Sequence, residues 1–386
     1  MSNIPYNQKG EFIVYRAQLI FLILSPAMIR ILAITLFLFL PSLSQAQFGY
    51  FNTEEFWNKL VLHQPGEKIS IPAGDTALIV ATNRIMDTSS FRFLPEFRDG
   101  KTIRYFVVYA SNGKWHLHPV SGLKPAVQVF KDNNRDWVVY TEGMGKFFTT
   151  DVDRGLNLSG QYDVNVLLLD YPSITTHRKR LGNYFFAKKN AALAHQDFVL
   201  VLDTLEDLQQ QQYMGNGEVS LFFHSMGNIA MRQIVKNHRL SEINDRVWAT
   251  NLILNAPCVP ARGHKKWVDQ IRFARNIYIH YNPEDYTLGG AYLLSKRHQL
   301  GMKAKKPLSK KPVYINFSTI AGKGHSNFLN LKGRNEIPGA AFDHYNRLFH
   351  GNLLPLQDTT LYKPTAYKGI GYDILPSEGR RLVNHP

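Results

Sequence analysis

Three polar residues lie just beyond three apolar segments, and together they have the side chains needed for acyl transfer. Ser225 follows "VSLFF", Asp285 follows "NIYIHYNPE" and His325 follows "VYINFSTIAGKG". A serine hydroxyl is a weak nucleophile near neutral pH unless an imidazole accepts its proton, and that imidazole needs a carboxylate to hold its tautomer. This order of residue types predicts that Ser225 attacks, His325 carries the proton and Asp285 orients His325.

The serine lies where an apolar strand pattern changes abruptly to a helix pattern, in "EVSLFFHSMGNIAMR" at 218–232. A nucleophile on such a sharp turn favours small residues two positions before and two positions after it. Gly227 satisfies this rule on the helix side, and Phe223 departs from it on the strand side. The alternative interpretation is that the Ser225 hydroxyl caps the following helix, which is the commoner role of a serine at a helix start.

A second loop upstream can complete such a site. The segment "DWVVYTEGMGK" is an apolar strand that ends in Glu142-Gly143-Met144-Gly145. Two backbone N–H groups that point at the developing oxyanion stabilise the transition state of acyl transfer. We expect these donors to be the N–H groups of Met144 and Met226. The alternative is a Gly-Met-Gly turn without a role in chemistry.

Other acids and histidines compete for the same roles. Glu284 is adjacent to Asp285, and Asp170 ends the strand "VLLLD", where we expect it to bind loop amides near "YPS". His344, on an amphipathic helix pattern, is the alternative base to His325. His224 directly precedes the serine, so we expect its ring to point away from the nucleophile.

Alternating strand and helix patterns indicate the fold that positions these residues. Short antiparallel strands at about 75–120 come first, and apolar strands that alternate with helices follow them, which predicts an α/β fold. We expect a mostly parallel central sheet with helices on both faces, and a site at the carboxyl ends of its strands. The predicted strands are 76–82, 102–110, 114–120, 136–142, 164–170, 219–223, 250–256, 276–281 and 313–319. The predicted helices are 187–212, 227–239, 263–274, 287–298 and 337–350.

These motifs together resemble a poorly characterised family of esterase/lipase-like α/β-hydrolases. The resemblance rests on "HSMGN" at the turn, "ATNR" at 81–84, "NVLLLDYPS" at 165–173 and "GHSNF" after the last strand. It covers about residues 75–330 and implies the α/β-hydrolase fold with a Ser-Asp-His triad. Family members usually have His-Gly where this chain has Glu142-Gly143, and often a small residue at Phe223. Both departures bear on whether the site is active.

Composition excludes several other functions. The single cysteine, Cys258, rules out an intrachain disulfide. No His/Cys/Asp cluster has metal-ligand spacing and no phosphate-binding loop occurs, so we predict no metal and no cofactor. The formal net charge of +15 comes with no nucleic-acid-binding module. Basic clusters at 177–180, 263–266 and 303–311 leave contact with an anionic envelope surface open.

The N-terminal segment has the pattern of a secretory signal peptide. A positive residue, an apolar run and a small-x-small ending follow Met28, which we interpret as the true start. We therefore predict a signal peptide over 1–46, a hydrolase domain over 47–350 and an irregular tail over 351–386, in a secreted or periplasmic protein. The alternative is an uncleaved membrane anchor over about 18–40.

The sequence predicts a secreted serine hydrolase that acts on a small-molecule or lipid-like carboxylic ester. The alternative function is that of a catalytically inactive binding protein of the cell envelope with the same fold. Phe223 and Glu142 are the residues that support this alternative. The sequence does not indicate an oligomeric state.

Overall fold

The computed structural model describes residues 54–130, 134–237, 239, 243–331, 336–365 and 369–376. The predicted signal peptide, the start at Met28 and the alternative anchor over 18–40 lie outside these residues. No helix within the described ranges is both long and apolar enough to cross a membrane.

Helices and strands alternate along most of the described chain. The helices are α1 (Glu54–Lys59), α2 (Leu123–Gln128), α3 (Phe148–Tyr162), α4 (Arg180–Gln210), α5 (Gly227–Lys236), α6 (Lys265–Val268), α7 (Tyr286–Ser295), α8 (Ser318–Ala321) and α9 (Gly339–Phe349). The strands are β1 (Leu60–Leu62), β2 (Thr76–Thr82), β3 (Arg104–Ser111), β4 (Lys114–Val120), β5 (Trp137–Thr141), β6 (Asn165–Asp170), β7 (Val219–His224), β8 (Ala249–Asn255), β9 (Ala274–Tyr281), β10 (Val313–Asn316), β11 (Tyr362–Pro364) and β12 (Tyr372–Ile374).

All of these strands belong to one twelve-stranded sheet within the described residues. The order across the sheet is β1-β4-β3-β2-β6-β5-β7-β8-β9-β10-β12-β11. The strands from β2 to β12 in this order are parallel. The pairs β2/β3, β3/β4 and β11/β12 are antiparallel. The predicted α/β class with a mostly parallel sheet is confirmed.

The continuous apolar strands follow from burial of both faces of the sheet. In β7, Leu221 and Phe223 belong to the hydrophobic cluster on one face, and Phe222 to the cluster on the other. Helices α2, α4 and α5 pack against the first face, and α1, α3 and α9 against the second. Successive side chains of a strand point to opposite faces of the sheet, and both faces here are covered by apolar cores. The strand sequences are therefore apolar throughout and do not alternate between apolar and polar residues.

Several predicted regions differ from the structure. Helix α4 begins at Arg180 rather than at 187, and the strand expected over 313–319 ends at Asn316, where α8 follows. The helix expected over 263–274 shrinks to α6, since the Phe273 carbonyl accepts the N–H groups of Trp248 and Ala249 and the chain turns early to meet β8. The tail over 351–386 is not wholly irregular, because it contains β11 and β12. There β12 pairs with β10, whose open edge offers unpaired backbone groups. No helix or strand was predicted over 54–62, where α1 and β1 form.

Candidate active site

The turn between β7 and α5 holds Ser225 in a strained backbone conformation. Its φ is +51°, a left-handed value that a residue with a Cβ rarely adopts. The Asn228 side-chain amide donates to the carbonyls of Phe223 (2.7 Å) and Ser225 (3.1 Å), and the Ser225 N–H donates to Asn255 O (2.9 Å). These bonds hold the turn so that the hydroxyl projects from the carboxyl end of β7, as in a nucleophile elbow.

The small residue that this turn requires lies on the helix side. A Cβ placed on Gly227 would lie 2.9 Å from the carbonyl oxygens of Thr141 and Glu142, so no larger residue fits without a shift. Phe223 instead points into the apolar core under α5 and is fully buried. The sheet therefore accommodates the departure at Phe223 without crowding the serine.

The three residues predicted to work together lie in a hydrogen-bonded line. The Ser225 Oγ lies 2.9 Å from His325 Nε2, and His325 Nδ1 lies 2.6 Å from Asp285 Oδ2. The N-cap residue of α5 is Met226 and no side chain caps the helix, so Ser225 does not adopt the alternative capping role. Asp285 and Ser225 are buried, while the His325 side chain keeps some exposure. The arrangement suits proton transfer from a hydroxyl to an imidazole that a buried carboxylate orients.

Two loops hold the acid and the base in place. Asp285 is the N-cap of α7, where its Oδ1 accepts the Leu288 N–H at 2.9 Å and leaves Oδ2 for His325. The Asn282 side-chain amide donates to the carbonyls of Gly322 (2.7 Å) and Gly324 (3.2 Å) in the histidine loop. The loops after β9 and β10 are thereby tied together, which sets the Asp285–His325 distance.

The loop after β5 lies directly against the serine. A Cβ placed on Gly143 would lie 2.6 Å from Ser225 Cβ and 3.3 Å from the Met226 nitrogen. Only a glycine allows this approach. Met144 therefore follows a residue in contact with the elbow, and Met226 is the first residue after the serine, at the start of α5. The structure brings both predicted donor positions to the site.

Glu142 is buried and fully engaged at the base of this loop. Its Oε1 accepts the Gly143 N–H at 2.7 Å, and its Oε2 accepts the Tyr140 hydroxyl at 2.6 Å and pairs with Arg154. Burial opposes its ionisation, but the charges of Arg154 and Lys146 outweigh burial and hold the pKa of Glu142 well below its ordinary value. The acid beside the loop is thus an anion with a cation partner, a pairing that the sequence did not indicate.

His224 lies beside His325, and its ring nitrogens bond to residues other than Ser225. Its ring centroid lies 4.8 Å from that of His325, and its Nε2 lies 3.3 Å from Ser326 Oγ and 3.5 Å from Glu142 Oε1. The side chain of the last strand residue leaves the sheet on the opposite face from Phe223, and this face carries the histidine loop. Strand alternation was the signal that could have placed it.

The alternative acids and bases have other partners. Asp170 binds Thr82 and Arg84 rather than loop amides near "YPS", and Arg84 Nη2 in turn donates to Tyr171 O. His344 is buried and bonds to Tyr362 and His280, away from the serine. The partners expected for Asp170 were therefore wrong. Its role is nevertheless a structural one, because the buried carboxylate binds Thr82 and Arg84.

Comparisons with known proteins add little to this geometry. No protein-family model and no curated protein matches the chain. A solved structure described as "Structure of arylesterase" aligns with 76% of this chain and 90% of that chain, at 11% identity and a TM-score of 0.32. A likeness at this level bears on neither the fold family nor the activity of the chain.

Proposed function

We propose that the chain is a serine hydrolase of the α/β-hydrolase fold that cleaves carboxylic esters through an acyl-enzyme. The observation that carries the proposal is the line from Ser225 Oγ through His325 to Asp285, with distances of 2.9 and 2.6 Å. The strained φ of Ser225 and the close approach of Gly143 support it further. The alternative, an inactive binding protein, rested on Phe223 and Glu142, and neither residue obstructs the serine.

The chemistry follows from the positions of these groups. Ser225 Oγ attacks the ester carbonyl carbon while its proton passes to His325 Nε2, and Asp285 stabilises the imidazolium without taking the proton. The N–H groups of Met144 and Met226 hold the oxyanion of the tetrahedral intermediate. Collapse expels the alcohol with the proton from His325. Water, activated by His325, then releases the acid from Ser225.

An apolar and cationic rim around the site supports a lipid-like ester as substrate. Leu181 and Phe185 on the first turns of α4, and Tyr286 at the start of α7, are exposed. The exposed cations Arg178, Lys179 and Arg180 precede and begin α4. Exposed apolar side chains beside cations fit an ester presented at an anionic lipid surface.

Labelling with a fluorophosphonate tests the proposal. We expect wild-type protein to be labelled, Ser225→Ala to lose labelling completely, and His325→Ala to slow it by about 10⁶-fold. The matched control is Ser89→Ala, because Ser89 is an exposed loop serine bonded to Asp87. Folded wild-type protein that resists the reagent would favour the binding protein instead, and Ser225→Ala that still reacts would place the nucleophile at another residue.

A further inference from the structure

A line of buried hydrogen bonds runs from the C-terminal segment toward the candidate site. Tyr362 Oη lies 2.9 Å from His344 Nδ1, and His344 Nε2 lies 3.1 Å from His280 Nε2. His280 Nδ1 lies 3.0 Å from Asn255 Oδ1. Asn255 Nδ2 lies 2.9 Å from His224 Nδ1. All five side chains are buried, so each polar group relies on the next side chain of the line, rather than on bulk water, for its hydrogen bond.

Glu142 terminates this line beside the site. Its Oε1, which accepts the Gly143 N–H, is 3.5 Å from His224 Nε2, and that nitrogen also lies 3.3 Å from Ser326 Oγ. The other carboxylate oxygen accepts from Tyr140 and pairs with Arg154. One carboxylate therefore touches the histidine line, the loop next to Ser225 and a buried cation.

The three histidines of the line are neutral. Burial lowers the pKa of His224 and of His280 well below the ordinary value. Burial also lowers the pKa of His344, to about 3. A neutral imidazole has one N–H and one lone pair, so every bond in the line has a definite direction.

The carboxylate determines that direction, because it can only accept. Neutral His224 turns its Nε2–H toward Glu142 Oε1 and the nearer Ser326 Oγ, a hydroxyl that can accept it, and this leaves Nδ1 to accept from Asn255 Nδ2. Asn255 Oδ1 then accepts the Nδ1–H of His280, with a second bond from the Tyr345 hydroxyl at 2.8 Å. His280 Nε2 then accepts the Nε2–H of His344. The Nδ1 of His344 accepts from the Tyr362 hydroxyl.

We infer that Glu142 is a positioning residue with two effects. It sets the direction of the hydrogen bonds in the line from Tyr362 to His224, called the relay below, and it holds the Gly143 loop against Ser225. The inference rests on the proposed function for its effect on catalysis, while the relay itself does not. An oriented His224 presents a fixed ring face to His325, at a centroid distance of 4.8 Å. A held Gly143 N–H keeps the adjacent Met144 amide where the oxyanion forms.

Histidine tautomers report the relay directly. With ¹⁵N-histidine protein, long-range ¹H–¹⁵N spectra distinguish Nδ1–H from Nε2–H rings, and single His→Gln variants assign the signals. We expect Nε2–H for His224 and His344, and Nδ1–H for His280. A different tautomer at any of these rings, or a charged ring near neutral pH, would overturn the inference.

Glu142→Gln tests the role of the carboxylate. The amide oxygen turns toward Arg154 and Tyr140, so the NH₂ faces His224. We expect His224 and His344 to change to Nδ1–H and His280 to Nε2–H as the direction of the line reverses. The matched control is Glu206→Gln, which makes the same change at a buried carboxylate of α4 that pairs with the exposed Arg246. Unchanged tautomers in Glu142→Gln show that the carboxylate does not orient the line.

Kinetics measure the consequence at the site. With an activated ester, Glu142→Gln should lower kcat by about 10- to 100-fold through misplacement of the loop, with KM nearly unchanged and Glu206→Gln unaffected. A kcat equal to that of the wild type contradicts the positioning role. Failure of fluorophosphonate labelling in wild-type protein would refute the proposed function alone, because the tautomers are read without any substrate.

Discussion

At the residue scale, Asp285 divides one carboxylate between two tasks. Its Oδ1 caps α7 through the Leu288 N–H, and its Oδ2 lies 2.6 Å from His325 Nδ1. A cap is a stability contribution of about 1 kcal/mol, whereas the bond to His325 fixes the imidazole tautomer. Because the oxygens are distinct, substitutions can separate the two tasks.

Asp285→Asn and Asp285→Ala are expected to differ in stability but not in activity. Asparagine is an equally good N-cap, so Asp285→Asn keeps the free energy of unfolding, while Asp285→Ala lowers it by about 1 kcal/mol. Both should lower kcat by about 10⁴-fold, because His325 loses its orienting anion. Urea denaturation and ester kinetics check this. An Asp285→Asn variant with wild-type kcat would place the acid elsewhere.

At the element scale, the geometry of the β7–α5 turn depends on one glycine. Gly227 packs against the end of β5, where its Cα faces the carbonyls of Thr141 and Glu142. The strained Ser225 persists because Asn228 and the neighbouring strand β8 hold the turn on both sides. The requirement for a small residue thus comes from strand packing rather than from the turn alone.

Gly227→Ala is expected to destabilise the protein, and Gly290→Ala to have the opposite effect. The new Cβ at Gly227 meets three atoms at 2.9 Å, two of them backbone oxygens, so we expect a loss of about 1 to 3 kcal/mol. At Gly290, inside α7, nothing lies within 4 Å of the new Cβ, and alanine should add about 0.5 to 1 kcal/mol. Urea denaturation measures both, and equal stabilities would contradict the packing argument.

At the scale of the whole molecule, charge and exposed apolar groups combine at the edge of the sheet that carries the site. The chain has a formal charge of +15. Helix α4 begins near the carboxyl end of β6, so its exposed Leu181 and Phe185 lie at this edge. Val247 and Leu353 are also exposed. Val247 lies just before the amino end of β8, and Leu353 follows His350, which bonds to Asp136 at the amino end of β5. The pair Leu181 and Phe185 therefore samples the carboxyl ends of the strands, and the pair Val247 and Leu353 samples the amino ends.

We expect the protein to bind vesicles that contain anionic lipid, and to bind less as salt screens the charges. Leu181→Ser with Phe185→Ser should weaken binding by about 10-fold or more, because apolar contact with the membrane interface is lost. Val247→Ser with Leu353→Ser serves as the control, because the wild-type exposures of 57% and 65% match the 53% and 51% of the first pair. Vesicle sedimentation is the measurement. Equal loss in both pairs, or equal binding to zwitterionic vesicles, would contradict an oriented surface.

The sequence predicted the part of the site that lies at the carboxyl ends of the strands. Parallel strands end at one edge of a sheet, so the residues after β7, β9 and β10 had to lie near one another once those strands were recognised. Ser225, Asp285 and His325 follow from this rule. Their order along the chain needed no knowledge of side-chain packing.

Only the tertiary structure decided what surrounds them. Which face Phe223 occupies, which cation pairs with Glu142 and which strand receives the tail all depend on contacts between distant parts of the chain. Local periodicity reports whether a residue is buried but not which residue it meets, since pairing is determined by the packing of the whole sheet. The sequence alone therefore determined the α/β class and the three candidate residues, and the fold determined that Glu142 and His224 join them.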